Sequence, residues 1–158
     1  MANPVENAPG RSAAASSATR SDWARPDKRL STPGLEIRQA HFPGRAPVDS
    51  YGAGGFRFAD MSHRGSIMLL PSGIYGWTAN TLSDITPPSL TQLKTETDLE
   101  LVLFGTGQEL QMLDDATLAF MEETGLRAEV MATGAAARTF NVLLAEGRPV
   151  GAALLAVA

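Results

Sequence analysis

The chain has 158 residues, 44% hydrophobic and 19% charged, with no cysteine and a net charge of -4. That length and composition suit one globular domain with a single core, and the missing cysteines exclude disulfides, thiolate metal sites and a cysteine nucleophile. The acidic balance lacks the basic footprint of a nucleic-acid-binding domain, and no run approaches the ~20 apolar residues of a membrane-spanning helix.

Residues 1–34 are rich in Ala, Ser, Pro and Gly and hold five basic and three acidic side chains. Such a stretch buries too little surface to offset ordering entropy of ~1–2 kcal/mol per residue, so a disordered tail is expected there, with one α/β domain over 35–158. Glu6 and the breakers Pro4, Pro9 and Gly10 oppose the amphipathic helix of a transit peptide, and no secretory h-region is present, so a cytoplasmic location is the expectation. Leu35 to Phe42 alternates as a strand, and Pro47 to Gly55 reads as a turn-rich loop. Gly55 to Phe58 places Phe56 and Phe58 on one face of a strand, Asp60 to Gly65 reads as a hairpin-like turn, and Ser66 to Leu70 as a buried strand. Ile74 to Trp77 reads as a short extended segment at a sheet edge.

The second half changes rhythm. Ser89 to Lys94 reads as a short helix behind Pro87-Pro88, and Leu99 to Phe104 as a buried strand. Asp114 to Thr124 reads as a helix with Asp114 as cap, Leu118 and Met121 as apolar stripe and Gly125 past its end. Arg127 to Met131 is a strand, Gly134 to Glu146 a helix, and Val150 to Val157 a last strand. This alternation predicts βαβ units with right-handed crossovers. The expected architecture is a three-layer α/β domain with a central mixed β-sheet, helices packed on it and an additional β-hairpin region from the N-terminal half.

Two turns at strand ends are candidates for a small-anion site. Gly105-Thr106-Gly107 follows one strand, and Thr133-Gly134 opens a helix after another, with Arg138 and Asn141 further along it. Helix N-termini offer N–H groups and partial positive charge to anions, and pockets favour strand C-terminal ends. The competing reading is tight helix–sheet packing at Ala135 to Ala137, with Arg138 paired to a carboxylate such as Asp60. Leu110 breaks the G-x-G-x-x-G pattern, and no GK[ST] exists, so the dinucleotide and P-loop readings fail. Asp60, Ser62 and His63 sit too close in sequence to converge as a catalytic triad. His41 and His63 lack companion ligands, so no metal and no cofactor is expected. Tyr75 and Trp77 lie beside glycines at the expected edge, where exposed aromatics mark protein interfaces and an open strand favours a homodimer.

Four segments in order, Asp49 to Phe58, Pro71 to Trp77, Phe104 to Gly107 and Met131 to Leu143, together resemble a small α/β domain family. It includes the mitochondrial respiratory complex I assembly factor and the adipogenesis-associated Mth-type domain protein, and many bacterial members of unknown function. The resemblance covers residues 35–157. It implies a three-layer fold with a mixed sheet, no established catalytic residue, and by analogy a helper role in assembling a membrane-associated complex. Some relatives carry Cys where this chain has Ala137, so any thiol chemistry of theirs is absent here. The leading expectation is a non-enzymatic binding or assembly-helper domain with a protein partner; the alternative is a small-anion-binding protein or enzyme using the crevice at Gly105–Gly107 and Thr133–Asn141.

Overall fold

The structure, a computed structural model, describes residues 42–158. The expected tail, and the expected strand from Leu35 apart from Phe42 itself, lie outside the described residues. Two antiparallel hairpins open the described chain. β1 (Ser50–Gly52), β2 (Gly55–Phe58) and β3 (Met61–Arg64) form a three-stranded sheet in that order. Both connections are two-residue loops whose central residues have positive φ: Ala53 and Gly54 (51° and 81°), then Ala59 and Asp60 (47° and 62°). That conformation matches the right-handed twist of the flanking strands. The segment expected to be one turn from Asp60 to Gly65 is therefore mostly strand β3, with the reversal completed by Asp60. The expected loop from Pro47 likewise contains β1.

The second sheet has five strands in the order β5 (Gly73–Gly76), β4 (Ile67–Leu70), β8 (Val150–Leu154), β6 (Leu101–Gly105) and β7 (Arg127–Met131). β4 and β5 form a hairpin, and β4 also pairs antiparallel with β8. β6 lies parallel to both β8 and β7, so the sheet is mixed. Strands β4 and β8 are buried at every position, as a central strand covered on both faces must be.

Alternate side chains of this sheet enter two separate cores. One face packs Met68, Leu70, Val102 and Phe104 against α1 (Asp115–Thr124) and against Leu90 and Leu93 of a 3₁₀ helix, Pro87–Thr95. The opposite face packs Ile67, Leu69, Leu103 and Leu154 against Ala136, Ala137 and Phe140 of α2 (Thr133–Ala145) and against Phe56 and Phe58 of β2. The domain is thus α/β in three layers, with the small sheet sharing the α2 side. Asp114 caps α1 by accepting the Thr117 N–H at 2.8 Å, which holds its carboxyl below the usual carboxylate range. Gly125 ends that helix in the left-handed region (φ 79°). The inward residues of α1 are Thr117, Phe120 and Met121; Leu118, expected in the apolar stripe, is 40% exposed. Thr117 faces inward with Phe120 and Met121, its hydroxyl donating to the Ile85 carbonyl (3.0 Å), and in that phase Leu118 falls toward solvent.

Candidate functional site

The C-terminal ends of β6, β7 and β8 meet at one junction, and the two candidate turns are bonded to each other there. Leu155 N–H donates to the Gly105 carbonyl (2.9 Å), and Thr106 N–H to the Met131 carbonyl (2.9 Å), extending the parallel ladders past the strands. Thr133 is fully buried at the start of α2. Its N–H donates to the Gly107 carbonyl (2.8 Å), while its hydroxyl donates to the Leu155 carbonyl (2.8 Å) and accepts the Gly107 N–H (3.0 Å). Thr106, also buried, donates its hydroxyl to the Glu109 carbonyl (2.7 Å) and accepts the Gln111 N–H (3.0 Å). These two threonines spend their polar atoms on backbone groups that the turns would otherwise leave unpaired.

Gly105 is required by this closeness. A Cβ there would stand 2.9 Å from both the Thr133 Cα and the Leu154 Cδ2. Gly134, one residue into α2, is covered by Tyr51 of β1: a Cβ at Gly134 would collide with the phenol hydroxyl and reach 2.8 Å from its Cζ. The start of α2 is thus met by the Gly107 carbonyl and by a tyrosine ring, not by open space. Asn141, two turns along α2, forms a two-bond clamp on a single backbone unit. Its Oδ1 accepts the Val48 N–H and its Nδ2 donates to the Val48 carbonyl, each at 2.8 Å. It ties the segment leading into β1 onto the helix.

The structure therefore brings Gly105, Thr106, Gly107, Thr133 and Gly134 together, and assigns Asn141 a partner within the chain. Arg138 is exposed on α2, and no described residue pairs with it; in particular it makes no ion pair with Asp60, which is exposed in the β2–β3 turn. Tyr75 and Trp77, expected as exposed aromatics, are 9% and 6% exposed. Trp77 donates its indole N–H to the Ser89 carbonyl (3.0 Å), and the Tyr75 hydroxyl bonds the Ser72 hydroxyl at 2.6 Å. The glycines beside them are strand residues, not signs of a loop. The outer edge of β5 is also met by Phe42, which exchanges backbone hydrogen bonds with Ile74.

The large apolar side chains that do face solvent lie elsewhere. Leu110 is 56% and Met112 65% exposed, both on the loop leaving the Thr106 turn, and Tyr51, Leu118 and Val142 are 40–57% exposed. No periodicity distinguishes Leu110 or Met112 in the sequence; the signal available was two large apolar residues among Gly, Gln, Glu and Asp. His63 is half-buried, with Nε2 3.2 Å from the Ser66 carbonyl, and burial pushes its pKa below the ordinary histidine value, against the weaker opposite pull of that bond. Among the described residues no group of three or more His, Asp or Glu side chains is placed to hold a metal ion, and no helix is long and apolar enough to cross a membrane.

Comparison with known proteins gives this geometry its relatives. A family model described as a protein of unknown function (DUF498/DUF598) matches residues 48–155. An uncharacterized protein of Rhodobacter capsulatus is 40% identical over 118 residues, covering 75% of this chain and 90% of that one. The mouse protein named NADH dehydrogenase [ubiquinone] 1 alpha subcomplex assembly factor 3 is 34% identical over 122 residues, covering 77% of this chain and 66% of that one. Among solved structures, a Bartonella henselae protein described as an outer membrane protein is 50% identical, with a TM-score of 0.67, covering 75% of this chain and all of that one.

Proposed function

Because the chain belongs to the DUF498/DUF598 family, we propose that it is a non-enzymatic assembly helper that binds a protein component of a membrane-associated complex. The name carried by the mouse relative supports a role in assembly, and NADH dehydrogenase is the first complex to test. The observation that carries the reading is Leu110 and Met112, two large apolar side chains held in solvent on one loop. That loop is rigidly based, because Thr106 anchors it at Glu109 and Gln111. A partner that covers them gains about 25 cal/mol per Å² of apolar surface removed from water. The junction behind the loop supports the same reading, since its threonines and helix start are occupied by the chain's own groups. The cytoplasmic side is the proposed site of action.

The test is a host strain lacking this protein, complemented with the natural chain or with Leu110→Ser/Met112→Ser. Assembled NADH dehydrogenase is measured on native gels, and the protein is followed in soluble and membrane fractions. The expected result is loss of the assembled complex in the deletion strain and with the double variant, while the purified variant keeps its melting temperature. Full assembly without the protein would refute the reading.

A further inference from the structure

We propose that the outer edge of β7 is a self-complementary seam through which two copies of this chain pair antiparallel, joining their five-stranded sheets. This stands apart from the assembly reading and rests on different residues.

β7 is the last strand of its sheet, with no described strand beyond it. The ends of its ladder to β6 fix which backbone groups point which way: Arg127 N–H donates to the Glu100 carbonyl and Thr106 N–H to the Met131 carbonyl. Because backbone groups alternate along a strand, Arg127, Glu129 and Met131 face β6, while Ala128 and Val130 turn their N–H and C=O groups to the open edge. Side chains alternate as well. Leu126, Ala128 and Val130 lie on the α1 face, where they pack on that core, and Met131 packs on the α2 face, the face that by alternation also carries Arg127 and Glu129.

This sequence has one charge-matched way to pair with itself. Centring the two-fold axis on Ala128 makes Ala128 the hydrogen-bonded pair of its copy, sets the Val130 N–H against the Leu126 carbonyl, and places Arg127 directly opposite Glu129 of the other copy. That last pair falls in the non-hydrogen-bonded register, where the Cα atoms are about 4.5 Å apart and side chains interact most closely. Centring on Glu129 or Arg127 would instead set like charges face to face, and centring on Val130 would leave both charges without a partner. Within one chain Arg127 and Glu129 already contact each other at 3.3 Å, largely exposed, so the exchange gives up little.

The α1 face adds the apolar part of the seam. Leu118, Ala119, Met121, Leu126 and Ala128 line an open groove of about 450 Å³ beside this edge. Leu118 stands there 40% exposed. The axis through Ala128 brings the two grooves together, so Leu118 of each copy helps cover the other. Asp115 and Glu122 also line the groove, and like charges brought together there oppose the association, so the dimer is a weak one.

Sedimentation equilibrium of the full chain over a concentration series reads the result. The natural chain is expected to show a monomer–dimer equilibrium. Glu129→Arg, which opposes two arginines on each side of the axis, should weaken it by about tenfold or more. The exchange Arg127→Glu/Glu129→Arg should restore the dimer. Ala128→Pro should abolish it while leaving the fold intact by circular dichroism, because the lost N–H points away from β6. A chain that stays monomeric at every concentration overturns the proposal, and so does a dimer indifferent to Glu129→Arg and Ala128→Pro.

Discussion

Removing the Asn141 side chain separates a structural role from a ligand-binding one. In the folded chain this amide satisfies both the N–H and the C=O of Val48 at 2.8 Å, and Val48 itself is only 6% exposed. Asn141→Ala leaves both backbone groups part-buried and unpaired. Each such group costs about 1–3 kcal/mol, and partial access of water places the pair at about 2–4 kcal/mol in total. For a domain of roughly this size 1 kcal/mol moves the melting temperature by about 4 °C, so a drop of about 8–16 °C is expected in a calorimetric or circular-dichroism melt. Asn141→Asp is the sharper probe. The ionised carboxylate keeps the bond from the Val48 N–H but sets an oxygen against the Val48 carbonyl. Protonation restores a donor. The introduced acid therefore has a raised pKa in the fold, and the variant should approach natural stability at acidic pH and fall away as pH rises through that raised value. An Asn141→Ala chain that melts within 2 °C of the natural one would refute this account.

Two further perturbations use the same geometry. Gly105→Ala forces a Cβ to within 2.9 Å of the Thr133 backbone, which has its own bonds to keep, so a loss of about 1–3 kcal/mol in chemical denaturation is expected. Gly134→Ala meets the end of a half-exposed tyrosine that can swing away, so its loss should be smaller and the Tyr51 ring resonances in NMR spectra should report a more solvated ring; equal losses would mean the closeness at Gly105 is not what matters. His63 has a lowered pKa in the fold, so its neutral form contributes stability that is present above its ordinary value of 6.5 and lost as pH falls from there to the lowered value. The difference in melting temperature between the natural chain and His63→Gln should therefore change across that window, and a parallel pair of pH curves would contradict it.

How far the sequence could be read depended on whether a residue's cause lay nearby. β7 and the cap and end of α1 were readable because their signals are local: alternation, an Asp before the first turn, a Gly in the left-handed region. β3 was missed because Met61-Ser-His-Arg has little strand propensity and its turn uses Ala59-Asp60 in place of a glycine-bearing pair. Those strands hold because Phe56 and Phe58 fill the core beside α2, which is a tertiary cause. At the candidate site, the junction of Gly105 to Gly107 with Thr133 followed from parallel topology. What closes it did not. Tyr51 reaches Gly134 from 83 residues away, and Asn141 holds Val48 across 93, so nothing in either neighbourhood announces the contact. The burial of Tyr75 and Trp77 was hidden for the same reason, since the Trp77 partner Ser89 lies in a later helix.

The position of β8 bears on the order in which the protein comes into being. Among the described strands Val150–Leu154 is synthesised last, yet it lies in the middle of the sheet and is the sole pairing partner shared by β4 and β6. Until it emerges, the β4–β5 hairpin and the β6–β7 pair have no ladder in common, and each exposes an edge that β8 will later occupy. The nascent chain must therefore carry Ile67 to Leu70 and Leu101 to Gly105 unpaired on one side for much of its synthesis, when folding can begin at the N-terminal side but cannot close. The final event is the insertion of one apolar strand between two waiting edges, a step whose non-local contacts make it slow and whose delay leaves the chain exposed to aggregation.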